Sequence, residues 1–122
     1  YMKYNVETGY GYFSVMTDGL PHHGLQGDVP VELYSDEQVV VGVDLGVKAL
    51  RNSLNIAVAE GNYSDVMIQF GDHSETCRFT TVARVELKPG MNTISFENKH
   101  KHRYYRVVIP SEKIRLKYLA FK

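Results

Sequence analysis

Tryptophan is absent from the 122 residues, and cysteine occurs only once. The single cysteine, Cys77, excludes an internal disulfide framework, and its strand-like surroundings favour a small buried apolar side chain. Long apolar runs are also missing, because no stretch approaches the ~18 residues that a membrane-spanning helix needs. What is left is a chain of ordinary globular composition, with 43% hydrophobic and 23% charged residues, of the size of one domain.

The chain also lacks any long segment in which apolar residues recur with the 3.6-residue period of a helix. Apolar and polar residues alternate instead, with a period of two. The chain is therefore predicted to be all-β, with turns such as Lys88 to Asn92 between strands. The predicted strands are Tyr4 to Glu7, Tyr10 to Thr17, Val29 to Tyr34, Gln38 to Leu45, Leu54 to Glu60, Asp65 to Gln69, Arg78 to Leu87, Met91 to Glu97, Tyr104 to Ile109 and Lys113 to Phe121. So many strands indicate a single β-sandwich of two antiparallel sheets. Alternation lapses from Val47 to Ser53, which is predicted to be a helical turn.

Alternation also assigns side chains to the two faces of a strand. In the last strand, the residues predicted to face the core are Ile114, Leu116, Tyr118 and Ala120. The cations between them are predicted to face solvent, and these are Lys113, Arg115 and Lys117. In the strand from Arg78 to Leu87, the predicted core side holds Phe79, Thr81, Ala83, Val85 and Leu87.

Positive charge is concentrated near the C-terminal end of a chain whose formal net charge is zero. Residues 99–122 contain eight Lys or Arg and a single acid, Glu112, so they carry about +7 and the preceding residues about −7. Within Asn98 to Arg106 the cations are interleaved with tyrosines. Arginine pairs two N–H groups with a carboxylate, and tyrosine rings stack on flat apolar faces. The pattern indicates a surface for an anionic partner with apolar faces, either a uronate polysaccharide or a nucleic acid.

Seven residues are the candidates for this ligand-binding surface. Four come from the basic loop and the strand after it: Lys101, Arg103, Tyr104 and Arg106. Three would extend the surface on the last strand: Lys113, Arg115 and Lys117. Because neighbours on a strand point to opposite faces, Tyr104 and Arg106 share one face and Tyr105 is predicted to lie in the core.

Five segments, in this order, resemble the galactose-binding-like jelly roll of many carbohydrate-binding modules. They are residues 54–58, 79–87, 89–96 with the sequence Pro-Gly-Met-Asn-Thr-Ile-Ser-Phe, 104–109 and 114–121. The resemblance implies a jelly-roll sandwich that binds glycan and catalyses nothing. It also implies that residues 1–122 are one monomeric module of a larger secreted, extracellular enzyme. The start of the chain on Tyr1 rather than methionine agrees with that expectation.

Modules of this type most often stack sugars on tryptophan, which this chain lacks, so tyrosine rings and ion pairs must serve. Many relatives also hold a structural calcium near the N-terminal strand. Glu7 would contribute to such a site, but no matching acidic pair is evident, and no cofactor is assigned. The predicted ligand is an acidic plant cell-wall polysaccharide, with pectic homogalacturonan first and alginate next. The predicted partners are this polysaccharide and a covalently linked catalytic domain, with no nucleic acid and no membrane.

Other interpretations of the sequence stay open. A module of the same fold would bind a neutral glycan through the loop residues Tyr10, Tyr12, His22 and His23. A structural or adhesive sandwich of a surface, capsid or phage protein would have the same strand pattern. Nucleic-acid binding is disfavoured by the overall neutrality of the chain. His100 and His102 have a spacing found in metal sites on strands, but no third ligand follows, and neither the serines nor Cys77 have a catalytic setting, so no metal or catalytic residue is assigned.

Overall fold

The computed structural model describes residues 2–5, 11–14, 30–35, 37–73 and 78–122. Its strands are β1 (Met2–Asn5), β2 (Gly11–Ser14), β3 (Val31–Tyr34), β4 (Val39–Ala49), β5 (Ser53–Val58), β6 (Tyr63–Gly71), β7 (Thr80–Leu87), β8 (Gly90–Ser95), β9 (His102–Ile109) and β10 (Lys113–Phe121). This confirms the all-β prediction. Within the described ranges, nothing helical has the length and hydrophobicity to cross a membrane.

The strands form two sheets, in the orders β1-β3-β10-β5-β8 and β2-β4-β9-β6-β7. In each sheet four strands pair antiparallel, and a short strand is added in parallel at one edge, β1 on β3 and β2 on β4. The predicted sandwich of two antiparallel sheets is therefore confirmed, with one parallel edge strand on each sheet. Although β9 and β10 are neighbours in sequence, each is the middle strand of a different sheet.

The core lies between the sheets and is filled by alternate residues of both. Fully buried side chains include Leu33, Leu54, Ile56, Ile68, Val107, Ile109, Ile114 and Leu116. Across the sheets, the ring centroids of Tyr105 and Phe121 lie 5.5 Å apart. Tyr105 is fully buried, as predicted. Burial of this apolar surface holds the two sheets together.

A β-bulge in β10 shifts the pattern of buried residues. Its pairing with β5 changes by one residue between Leu116 and Tyr118, which leaves Lys117 as an extra residue. Leu119 and Phe121 consequently join the core, while Tyr118 is only half-buried. The prediction that Tyr118 faces the core in phase with Leu116 is therefore wrong.

A second bulge in β7 moves an aromatic ring to the outside of its sheet. The pairing with β6 shifts between Thr81 and Ala83, so Val82 is the extra residue and packs on the core beside Ala83. Phe79 then lies on the outer face, where its ring meets the guanidinium of Arg106. The predicted inward orientation of Phe79 and Thr81 is wrong for this reason.

The segment from Val47 to Ser53 is not the predicted helical turn, because β4 continues to Ala49 and β5 begins at Ser53. Alternation lapses there because residues 45–48 bulge away from β9. The predicted turn from Lys88 to Asn92 is confirmed. The Asn92 side chain accepts a bond from the Lys88 N–H at 3.0 Å and donates to the Lys88 carbonyl at 2.8 Å. This closes the connection between β7 of one sheet and β8 of the other.

Candidate functional site

One end of the sandwich, here called the loop end, is formed by connections from both sheets. β4, β6, β8 and β10 finish there, and β5, β7 and β9 begin there. Its described parts are the β4 bulge at 45–48, residues 50–52, residues 72–73 and 78–79, and the β8–β9 connection at 96–101. The last of these contains the first part of the predicted basic segment, residues 98–101, and the rest of the segment lies on β9.

The hydroxyl of Tyr105 anchors two of these connections to the core. It donates to the Ala49 carbonyl at 2.6 Å, and it accepts from the Arg51 N–H and from the Asn98 side-chain amide, each at 3.1 Å. The Asn98 amide also donates to the Arg51 carbonyl at 2.8 Å. Burial raises the pKa of Tyr105, so its hydroxyl is neutral at physiological pH. The loops next to it are thereby held in fixed positions.

Arg103 lies against the β4 bulge. Its Nε and Nη2 donate to the two carboxylate oxygens of Asp44 at 2.7 and 3.0 Å. Asp44 Oδ1 also accepts from the Gly46 N–H at 2.8 Å, in a turn where Gly46 has a φ of 78°, a value that glycine adopts without strain. The hydrogen bond from Arg103 is the main cause that lowers the pKa of Asp44. The pair uses two of the five N–H donors of a guanidinium, and the Arg103 side chain is 43% exposed.

Asp72 joins the β6–β7 connection to the start of β9. One of its carboxylate oxygens lies 3.3 Å from Nδ1 of His102 and 3.9 Å from Nζ of Lys48, and the other accepts from the Arg103 N–H at 3.4 Å. The His102 ring is stacked on Phe70, with centroids 4.0 Å apart. His102 is therefore a packed structural residue, whereas His100 is exposed.

Tyr104 and Phe79 place aromatic rings beside Arg103. The Arg103 guanidinium carbon lies 5.0 Å from the Tyr104 ring centroid, and the rings of Tyr104 and Phe79 meet edge to face at 6.4 Å. Both aromatic residues are half-buried, so part of each remains accessible. A fixed guanidinium beside accessible rings suits a ligand that carries a carboxylate next to an apolar ring face.

Arg106 does not face solvent as predicted, because it is only 3% exposed. Its Nε donates to Oε1 of Gln69 at 2.7 Å, and its guanidinium carbon lies 3.6 Å from the Phe79 ring centroid. Gly42 on the neighbouring strand makes room for it, since a Cβ at that position would lie 2.6 Å from the Arg106 Cβ. In this position Arg106 supports Phe79, and it is not a surface cation.

The cations of β10 do not extend the loop-end surface, so the predicted continuous face of seven residues is wrong. The short connection at 110–112 crosses from one sheet to the other, which puts Lys113 and Arg115 on the outer face of the first sheet. Arg115 donates to Glu32 and Glu60 there. Lys117, the extra residue of the β10 bulge, is half-buried.

The positive charge of residues 99–122 is therefore partly neutralised in the folded chain, while the described residues of the loop end keep a positive surplus. Among the residues that the structure describes at this end, the cationic side chains are Lys48, Arg51, Arg78, Lys99, Lys101, Arg103 and Lys122, and the carboxylate side chains are Asp44, Asp72 and Glu97. Lys99 and Lys101 are exposed. Of the seven candidates, the structure brings together Lys101, Arg103 and Tyr104.

Several residues named from the sequence lie outside the described ranges, namely Glu7, Tyr10, His22, His23 and Cys77. Tyr12 lies on β2, of which the backbone is described. In the described ranges, no three His, Cys, Asp or Glu side chains come together as a metal site. The proposed neutral-glycan loops and the calcium site thus remain predictions.

The sequence reasoning missed Phe79, Asp44 and Asp72 as parts of the loop end. Phe79 was missed because the bulge in β7 moves its side chain from the predicted inner face of the sheet to the outer face. Asp44 and Asp72 had one available signal, because Asp44 stands two residues before Gly46 and Asp72 directly follows Gly71, and a short carboxylate commonly caps a turn in such settings. Their pairing with residues 30 or more positions later required the sheet order.

Comparison with known proteins was made by sequence and by structure. No family model matches the chain, and no curated protein matches it. The family 32 carbohydrate-binding module (CBM32) of AlyQ in complex with 4,5-unsaturated mannuronic acid matches with a TM-score of 0.62 and 16% identity, over 77% of each chain. The Clostridium perfringens module CpGH89CBM32-6 has a TM-score of 0.66 and 13% identity, over 81% of this chain and 82% of that chain.

A third match is the chitosan-binding module 1 derived from a chitosanase/glucanase of Paenibacillus sp. IK-5. Its TM-score is 0.60 and its identity 21%, over 86% of this chain and 90% of that chain. The shared feature of these structures is their fold. This chain has the same galactose-binding-like jelly roll, as the resemblance in the sequence predicted.

Proposed function

We propose that this chain is a non-catalytic carbohydrate-binding module that binds an acidic, uronate-containing polysaccharide at its loop end. The observation that carries the proposal is the position of Arg103. Its guanidinium is fixed by both oxygens of Asp44, is partly exposed, and lies beside the rings of Tyr104 and Phe79. These groups match the two chemical features of a uronate, a carboxylate and the apolar C–H face of a pyranose ring.

In the proposed complex, the remaining N–H donors of Arg103 bind the uronate carboxylate, and Lys101 adds a mobile charge from the same loop. The sugar ring stacks on the accessible part of Tyr104. Because Asp44 already holds the guanidinium, binding costs less side-chain entropy than it would with a free arginine. The surplus of cations at the loop end attracts the polyanion from a distance, and this attraction is screened by salt.

The comparisons support the proposal at the level of the fold. One structural neighbour was solved with an unsaturated mannuronic acid, and another derives from a polysaccharide-degrading enzyme. By analogy, we propose that the chain works outside the cell as a module linked to such an enzyme. Pectic homogalacturonan is the first ligand to test, and alginate is the second. A long polymer that engages several modules or sites at once raises a weak contact to useful avidity.

The test is affinity electrophoresis in native gels that contain polygalacturonate, alginate or neutral xylan, at low and high salt. We expect retardation by the acidic polymers at low salt and loss of retardation at high salt. Arg103→Lys keeps the positive charge but cannot form bidentate hydrogen bonds with a carboxylate, so it should weaken binding about tenfold. Lys88→Ala removes an exposed cation from the β7–β8 turn at the other end of the sandwich and should change little.

Weaker binding by the Lys88→Ala variant, together with unchanged binding by the Arg103→Lys variant, would mean that net charge, rather than the loop end, determines binding. Retardation by xylan that persists at high salt would move the function to a neutral glycan. No retardation by any polymer would favour the hypothesis that the sandwich has a structural or adhesive role.

A further inference from the structure

The end of the sandwich opposite the loop end contains a recess of about 330 Å³. It is lined by Glu32, Glu60, Gly61, Tyr63, Lys113, Ile114 and Arg115. Glu32 on β3 and Arg115 on β10 are direct partners across the first sheet. The β5–β6 connection brings Glu60 and Gly61 over from the other side. The recess is therefore built from the middle of one sheet and a loop between sheets.

Two carboxylates hold the arginine in this recess. Nε of Arg115 donates to Oε1 of Glu32 at 3.3 Å, and Nη1 donates to Oε1 of Glu60. The Glu32 residue is only 8% exposed, whereas the Glu60 side chain is 63% exposed. The recess thus has a fixed inner wall of donors and acceptors and an accessible acceptor at its rim.

The charges of the described lining residues balance. Glu32 and Glu60 offset Lys113 and Arg115, so a charged ligand gains no net attraction from these four residues. A hydroxylated neutral ligand, by contrast, can donate to the carboxylates and accept from the cations. Paired acceptors and planar donors at neighbouring positions suit the adjacent hydroxyls of a sugar ring.

Tyr63 adds an aromatic surface. The residue is half-buried, packs against the edge of the core, and lines the recess. Burial and the nearby charge of Glu60 raise the pKa of Tyr63, so its hydroxyl is a neutral donor and acceptor at physiological pH. The volume lies at the small end of ligand pockets, which begin at about 300 Å³. The recess is sized for a single ring.

We propose that this recess is a second binding site, one that takes a single neutral pyranose. It rests on residues that the loop end does not use, and it does not depend on the proposed binding of uronate. Glu60 and Arg115 bond the ring hydroxyls, and Tyr63 packs on the apolar face of the sugar. The chain would then carry a charge-selective site and a charge-neutral site at opposite ends.

The test is a ¹H–¹⁵N NMR titration with the methyl pyranosides of glucose, galactose and N-acetylgalactosamine, with galacturonate as the anionic counterpart. We expect at least one neutral glycoside to shift the backbone amides of Glu60, Gly61, Tyr63 and Lys113, equally at low and high salt. Galacturonate should leave these amides unmoved. Arg103→Lys should not change the shifts, which separates this site from the loop end.

Glu60→Gln keeps the shape of the exposed rim residue but removes its charge, and it should weaken neutral-sugar binding about tenfold. Glu97→Gln changes an exposed carboxylate of the β8–β9 connection, at the other end of the sandwich, and should have no effect. The proposal is overturned if none of the neutral glycosides shifts these amides, or if Glu60→Gln binds the sugar as well as the original chain does. Because Glu60 is exposed, its variant tests the site without disturbing the core.

Discussion

The loop end and the recess use the same residue type in opposite ways. At the loop end, Arg103 is paired with one carboxylate among surplus cations, so the local field stays positive. In the recess, Arg115 is bonded to two carboxylates, and the charges of the described lining residues sum to zero. An arginine on a surface therefore does not by itself indicate an anionic ligand. The number of carboxylates around it decides whether its charge is available.

The two regions also differ in how they are supported. The loop end is attached to the core by the buried hydroxyl of Tyr105, which bonds residues of two connections. The inner wall of the recess is held in place by the backbone pairing of β3 with β10. A change at Tyr105 should consequently damage one region far more than the other.

The largest effect is expected for Tyr105→Phe, which removes three hydrogen bonds at a buried position. We expect a loss of about 2 kcal/mol in the free energy of unfolding and weaker binding of polyuronate. Tyr63→Phe at the recess should cost less than half of that. Urea denaturation of both variants at neutral pH measures the difference, and equal losses would contradict the anchoring role of Tyr105.

The loss of stability at alkaline pH should report the ionisation of Tyr105. The pKa of Tyr105 in the folded chain is raised above its ordinary value of about 10, so its contribution is complete below that pH. It is lost as the pH rises through the folded pKa. Tyr105→Phe should therefore lose less stability than the original chain between neutral and strongly alkaline pH. An unchanged alkaline slope would show that the ionisation of Tyr105 is not linked to unfolding.

The sequence predicted the strands well and their spatial grouping poorly, and the reasons are local. Alternation placed Tyr105 in the core because neighbouring residues on a strand face opposite ways. It failed after Lys117, where Tyr118 to Phe121 is apolar throughout and fits either phase of the pleat. Adjacency in sequence suggested that β9 and β10 share a surface, since consecutive strands usually neighbour each other. Only the sheet order shows that they do not.

The sequence predicted only part of the candidate site, for a related reason. Charge density along the chain identified Lys101, Arg103 and Tyr104 but could not show which cations meet carboxylates. Arg103 bonds Asp44 from 59 positions away, and Arg115 bonds Glu32 from 83 positions away. Such long-range pairs depend on sheet order and register, which no local pattern encodes.

A smaller effect is expected for Asp44→Asn, which makes the loop end still more positive but loosens Arg103. Asparagine retains an acceptor for the Gly46 N–H and loses the charge that pairs with the guanidinium. We expect about 1 kcal/mol of destabilisation at neutral pH. The pKa of Asp44 is lowered in the folded chain, so its contribution is complete above about pH 4 and is lost as the pH falls through the folded pKa.

The difference in unfolding free energy between the original chain and Asp44→Asn should therefore shrink in acid. Urea titrations at neutral pH and at about pH 3 give the two values. A gap that stays constant over this range would show that the Arg103–Asp44 pair contributes through shape rather than charge. Polyuronate binding by the variant then reports whether fixing Arg103 or adding net charge matters more.

The smallest and most discriminating change is Glu60→Gln, which gives the recess the charge character of the loop end. Removing one carboxylate leaves the lining residues with a surplus of one positive charge around Arg115. One charge near 4 Å in a watery setting is worth about 1 kcal/mol, so galacturonate should gain about fivefold in affinity at the recess. The gain should disappear at high salt, because exposed charges are screened. NMR titration of the Gly61 and Lys113 amides measures this gain directly. If galacturonate still does not bind at the recess of the variant, charge balance does not explain the different ligand preferences proposed for the two ends of this sandwich.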